Sequence, residues 1–150
     1  MAVYRENPYS QFNFLVSLGQ ADPNEPQAGF TEVSGLGVEV TPIEYRNGNE
    51  RSNWPRKLPG LAKVSDVTLK RGVIGSTDLY DWIRQAITGD PQLRRDVEIS
   101  LLSEDRQATV QSWKLTNAWP MKYSGPTLSA TTNEVAMEEL VLTCEGFETE

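Results

Sequence analysis

Only one window of this chain repeats its apolar residues at helical spacing. Leu79, Trp82, Ile83, Ala86 and Ile87 fall at i, i+3, i+4, i+7 and i+8 within Ser76–Gly89. Elsewhere the pattern alternates in twos or is broken by Gly, Pro, Asn and Asp. A lone helix with one apolar stripe must bury that stripe against a sheet, so the predicted fold is mainly β, an antiparallel β-barrel with one flanking helix. Ser76 or Thr77 is placed to cap the helix, Asp78 and Asp81 oppose its positive end, and Gly89 with Pro91 stops it.

The strands read in order. Gln11–Leu18 alternates Phe12, Phe14, Val16 and Leu18 with smaller or polar residues, and Gly19–Gly29 is a Pro- and Asp-containing loop. Phe30–Val33 and Val38–Tyr45 flank Gly35-Leu36-Gly37, with Pro42 marking an edge or bulge. Ala62–Val73, Asp96–Leu102, Ala108–Leu115, Asn117–Tyr123 and Glu134–Phe147 complete about eight strands. Glu138-Glu139 interrupts the alternation of the last one and suggests a bulge or a passage from one environment to another. Arg46–Pro59 is too polar and too punctuated for an element, yet it keeps Trp54 and Leu58, which a freely solvated loop has little reason to carry.

At 150 residues the chain fits one domain, 1–150, with an extended loop over 46–60. Its formal charge of −7 argues against a general nucleic-acid-binding surface. That charge is uneven. Seven bases lie between Arg46 and Arg71, whereas Ala130–Glu150 carries six Glu and no base. Two solvated faces account for this, and so does complementarity between copies. The start of the chain has no apolar signal region and no window suits a membrane helix, so synthesis in the bacterial cytoplasm without a signal peptide or membrane anchor is expected. The single Cys144 sits in the apolar run Leu140–Cys144 and reads as a buried structural thiol.

With no His, imidazole-based triads and His-containing zinc sites are excluded. Glu138 and Glu139 point to opposite faces of a strand and make a poor catalytic pair. Gly35-Leu36-Gly37 precedes a strand, which denies it the helix N-terminus a phosphate loop needs. The turn at Ser103–Arg106 lacks the ligand spacing of a calcium loop. No catalytic residue, metal or cofactor is expected.

Seven strings, in order, resemble the T4-type phage tail tube protein family: Phe12-Asn13-Phe14-Leu15-Val16, Gly29–Leu36, Ile43-Glu44-Tyr45-Arg46, Lys57-Leu58-Pro59-Gly60, Val67–Gly72, Leu79-Tyr80-Asp81-Trp82 and Asn117-Ala118-Trp119-Pro120. The resemblance runs from Asn7 to Phe147 and takes in the inner-tube proteins of extracellular contractile injection systems. It implies a barrel similar to the type VI secretion tube protein and homo-hexameric rings stacking into a tube. A contractile sheath surrounds such a tube, with baseplate, spike and terminal cap proteins as further partners and luminal cargo as its load. On this reading the 46–60 loop is an arm to another copy. Arg46, Arg51, Trp54, Arg56, Lys57 and Leu58 are its contact residues, and Glu138 or Glu145 the acidic surface they meet. The injection particle is the preferred reading, with the tail tube of a contractile-tailed phage as the alternative. From another class, a monomeric binding barrel would use Trp54, Trp113 and Trp119 as a stacking platform.

Overall fold

A computed structural model describes residues 7–19 and 29–150. Most of the expected Gly19–Gly29 loop and the first six residues lie outside them. In order, the elements are β1 (Phe14–Ser17), β2 (Glu32–Ser34), β3 (Val38–Tyr45), β4 (Arg56–Val64), β5 (Val67–Gly72), α1 (Asp78–Thr88), β6 (Arg95–Leu102), β7 (Thr109–Ser124), β8 (Met137–Thr143) and β9 (Gly146–Thr149).

All pairings are antiparallel, and the main ladder runs β1-β6-β7-β8-β5-β2, with β9 beside β7. β1 and β2 end this ladder without pairing to each other, so the described strands do not close into a barrel. β3 and β4 form a separate two-stranded sheet.

The expected break between Ala108–Leu115 and Asn117–Tyr123 does not occur. β7 runs through as one strand of 16 residues, bending at Asn117, whose φ is +52°. Its first half pairs β6 and β9, its second half β8. The expected single strand Ala62–Val73 is divided instead. Ser65 and Asp66 separate β4 from β5, and Gly35 (φ +85°) packs so close to the Asp66 carbonyl that a side chain there would collide with it.

The core holds Val16, Leu69, Val97, Leu115, Leu140 and Leu142 from five strands, with Leu79 and Trp82 of α1 laid over them. Trp82 is fully enclosed, donates its indole N–H to the Leu93 carbonyl at 2.7 Å and stacks beneath the Arg95 guanidinium at 4.6 Å. The helix ends on Gly89 in the left-handed conformation, as its sequence predicts. At the other end Thr77 makes no capping bond; its hydroxyl donates to Asp81 instead.

Asp78 is held by a buried ion network that the sequence did not disclose. Arg71, at 0% exposure, donates from Nε to Glu138 Oε1 at 2.5 Å and pairs with Asp78, while the Tyr123 hydroxyl donates to Glu138 Oε2 at 2.8 Å. Burial alone would raise the Asp78 carboxyl, but hydrogen bonds from Arg71 and Ser76 outweigh it and hold the group below the usual carboxylate range. The hydrogen bond to Glu138, with burial, pushes the Tyr123 phenol up. Glu138-Glu139 is therefore no bulge. β8 pairs β5 in unbroken register, Glu138 opposite Arg71 and Glu139 opposite Lys70, and the bulge lies across the other edge of β8, at Met121 of β7. Cys144 is partly buried against the core, and burial raises its thiol pKa.

Candidate assembly surface

The β3–β4 hairpin stands apart from the core. Every residue of β3 is exposed, as is all of β4 except the half-buried Gly60 and Val64. Yet the hairpin is rich in apolar groups, among them Val40, Ile43, Tyr45 and Leu58, each about half exposed. Leu61 at 88% and Trp54 at 82% are open to solvent in the single chain. Apolar side chains this exposed on an ordered element make the hairpin a candidate contact surface.

Strand β4 begins at Arg56, so the expected loop over 46–60 is in fact the upper part of a hairpin whose connection is only 46–55. That connection is organised from within. Arg46 donates to the Ser52 carbonyl at 2.9 Å, the Glu50 carbonyl at 3.2 Å and Asn53 Oδ1 at 3.4 Å. The Tyr45 hydroxyl donates to Asn47 Oδ1 at 2.5 Å, and Arg56 pairs with Glu50 at 3.2 Å. A guanidinium tying three acceptors of its own loop orders the connection that carries Trp54.

Of the residues singled out from sequence, Arg46, Arg51, Trp54, Arg56, Lys57 and Leu58 all lie on this arm. Arg46 and Arg56 are spent largely on shaping it, whereas Arg51 and Lys57 have no ion pair among the described residues. Lys57 sits across from Glu44. The expected acidic counterpart divides. Glu138, 4% exposed and bound to Arg71 and Tyr123, is no surface acceptor, because its strand turns it inward. Glu145 is exposed at the β8–β9 turn, where it accepts from Asn117 Nδ2 at 3.0 Å and lies 3.6 Å from Arg94 Nε.

Sequence reading missed Val38, Val40, Ile43 and Leu61 as surface groups, since β3 looks like any half-buried strand. Pro42 was the available signal: it faces Pro59 where the ladder changes register, in a strand that is not part of the main sheet. The three-Trp platform is not assembled, because Trp113 packs against the core while Trp54 stands on the arm. Among the described residues no cluster of metal-ligating side chains forms, and no helix is long and apolar enough to cross a membrane.

Comparison with known proteins follows the same outline. A chain of the extended sheath–tube complex of an extracellular contractile injection system, PVC, superposes with a TM-score of 0.79 at 33% identity, over 97% of this chain and 93% of that one. A chain of the anti-feeding prophage tube-terminating cap superposes with a TM-score of 0.81 at 30% identity, over 100% of this chain and 95% of that one. Hcp1 from Flavobacterium johnsoniae shares the fold alone, with a TM-score of 0.53 at 16% identity over 91% of this chain and 93% of that one. No curated protein sequence matches. Residues 10–148 match the family of the T4-like virus tail tube protein gp19. The chain belongs to that family, as a structural tail tube protein of a contractile injection system or phage-like particle.

Proposed function

We propose that this chain is the repeating subunit of the inner tube of a contractile injection system. Six copies form a ring, rings stack into a hollow tube inside a contractile sheath, and the tube is driven through a target envelope with its cargo. The baseplate with its spike seeds the stack and a cap ends it. Similarity at 30–33% to chains of the PVC and anti-feeding prophage particles favours an injection device over a phage tail. No step calls for a substrate, a cofactor or a catalytic group.

The observation that carries this reading is the hairpin, an ordered element rich in apolar groups that the described residues leave uncovered. In the tube it is the arm. Trp54 and Leu58 anchor it on a neighbouring copy, while Arg51 and Lys57, with Arg46 and Arg56 behind them, meet acidic surface there that includes Glu145. The open ladder supports the same scheme. Among the described strands β1 and β2 leave unpaired edges, a liability in a monomer that ring formation removes by joining strands of adjacent copies into a barrel around the lumen. Excess acid lining such a lumen keeps anionic cargo from adhering.

Size-exclusion chromatography with negative-stain electron microscopy tests the reading. Rings or rods from the purified chain, alone or with its sheath and baseplate proteins, are the expected result. A 16.8 kDa monomer under all of these conditions would overturn it.

A further inference from the structure

The chain has eight asparagines, and Asn47 alone is followed by glycine. That pairing matters because asparagine is chemically labile: the backbone nitrogen of the next residue can attack its side-chain amide, and a Cβ on that residue crowds the approach. Asn7 is followed by proline, which has no N–H to lose, and the other six by residues that carry a side chain.

The fold leaves the Asn47–Gly48 pair open. Both residues are exposed, in the 46–55 connection between β3 and β4. Residues 47–50 form a β-turn closed by the Glu50 N–H on the Asn47 main-chain carbonyl at 3.1 Å. The Gly48 N–H has no partner among the described residues, so no hydrogen bond has to break before its nitrogen reacts. A Cβ at Gly48 would meet nothing within 4 Å, so that side of the turn is clear for water.

The other reacting group is prepared as well. The Tyr45 hydroxyl donates to Asn47 Oδ1 at 2.5 Å, at the short end of the range for O–H···O. When a nitrogen adds to Cγ, negative charge collects on Oδ1, and the bond from Tyr45 strengthens as it does so. Tyr45 is the last residue of β3 and is held by the ladder opposite Arg56, so the donor comes from an ordered strand.

We propose that Asn47 deamidates in the folded chain, with Gly48 supplying the nucleophile and Tyr45 stabilising the oxyanion. Solvent base takes the Gly48 amide proton, and the nitrogen adds to Asn47 Cγ. The bond from Cγ to the side-chain nitrogen then breaks and ammonia leaves, closing a succinimide. Water opens that ring at either carbonyl, which gives aspartate or a β-linked isoaspartate at position 47. Nothing is oxidised or reduced, and water is the co-reactant.

The product alters the connection in charge and in shape. Residues 46–55 carry two bases, Arg46 and Arg51, against one acid, Glu50, and the new carboxylate cancels that excess. In the β-linked product the Asn47 carbonyl that accepts from Glu50 leaves the main chain, so the bond that closes the turn is lost. A basic, ordered connection is therefore a property of the freshly made chain. The reaction needs only the single folded chain and is independent of the tube reading.

Ageing the purified chain in warm, mildly alkaline buffer tests this. Aliquots are digested with trypsin, which frees residues 47–51, and fragment masses locate each new acid; a zero-time aliquot subtracts what forms during digestion. Wild type is expected to accumulate acid at 47 while Asn49 and Asn53, in the same connection, stay amides. Gly48 is outside the left-handed region and has room for a Cβ, so Gly48→Ala keeps the turn and should react roughly tenfold more slowly. Tyr45→Phe, checked for native circular dichroism, should react roughly fivefold more slowly, the rate equivalent of about 1 kcal/mol for one hydrogen bond. An Asn47 that stays an amide in the folded chain overturns the proposal, and conversion of the same chain in urea would show that the fold itself prevents the attack. Equal conversion at Asn49 or Asn53 overturns the assignment to the Gly48 nitrogen. A Tyr45→Phe rate equal to or above wild type removes Tyr45 from the mechanism.

Discussion

Replacing Glu138 by Leu should destabilise the folded chain by about 4 kcal/mol, because it strands a guanidinium in the core. Arg71 is fully buried, and its other carboxylate among the described residues, Asp78, is only partly so, with 29% of its side chain exposed. Removing one member of a buried pair costs about 3–5 kcal/mol, since the remaining charge keeps its desolvation penalty and loses its attraction. The Tyr123 hydroxyl loses its acceptor as well. For a domain whose whole stability lies at roughly 5–15 kcal/mol, this is a large share. Urea unfolding followed by Trp fluorescence, at a concentration where the chain is monomeric, should show a midpoint lower by about 2 M for a slope near 2 kcal/mol/M. Arg71→Met combined with Glu138→Leu should recover most of the loss, because the pair then becomes apolar packing of similar volume and the partly exposed Asp78 turns to water. If the single change costs no more than the roughly 0.5 kcal/mol of an ordinary surface substitution, or the double change is worse than the single, the network does not hold the core as described.

Three further outcomes follow from the same structure. The Asp78 carboxyl is lowered in the folded state, so its contribution is complete above the unfolded value of about 3.9 and is lost as pH falls from there through the folded value; Asp78→Asn should flatten the acid limb of a stability–pH profile below about pH 4 while leaving the alkaline limb unchanged. Gly35→Ala, placed at φ +85° against the Asp66 carbonyl, should cost more than the ~1 kcal/mol of a strained left-handed residue alone, read as a drop in thermal midpoint. Trp54→Ala removes an 82% exposed indole from the arm; burying about 200 Å² at about 25 cal/mol/Å², less ordering costs, leaves about 3 kcal/mol per copy, so tube assembly should need a roughly 100-fold higher protein concentration, measured by pelleting, with no change in the monomer's melting.

What could be read from the residues alone was everything fixed by short-range pattern. The i, i+3, i+4 spacing from Leu79 to Ile87 placed the helix within a residue or two of its observed ends, and Gly89 set its stop. Alternation placed most strands, and ordered strings such as Lys57-Leu58-Pro59-Gly60 carried the family. Such signals report a side chain relative to its own strand or helix axis, and they need no knowledge of what lies across from it.

Everything that depended on a distant partner was decided by the tertiary structure. Glu138 could face solvent or core with the same local sequence; its pairing with Arg71, 67 residues away, turns it inward. β7 continues through Asn117 because β6, β8 and β9 supply partners along its length, which no local window records. β3 reads as half-buried, yet both of its faces are open, since coverage is a property of neighbours that no local window records. Periodicity determines which residues share a face, whereas only the three-dimensional arrangement determines whether that face is buried, paired or left for another molecule.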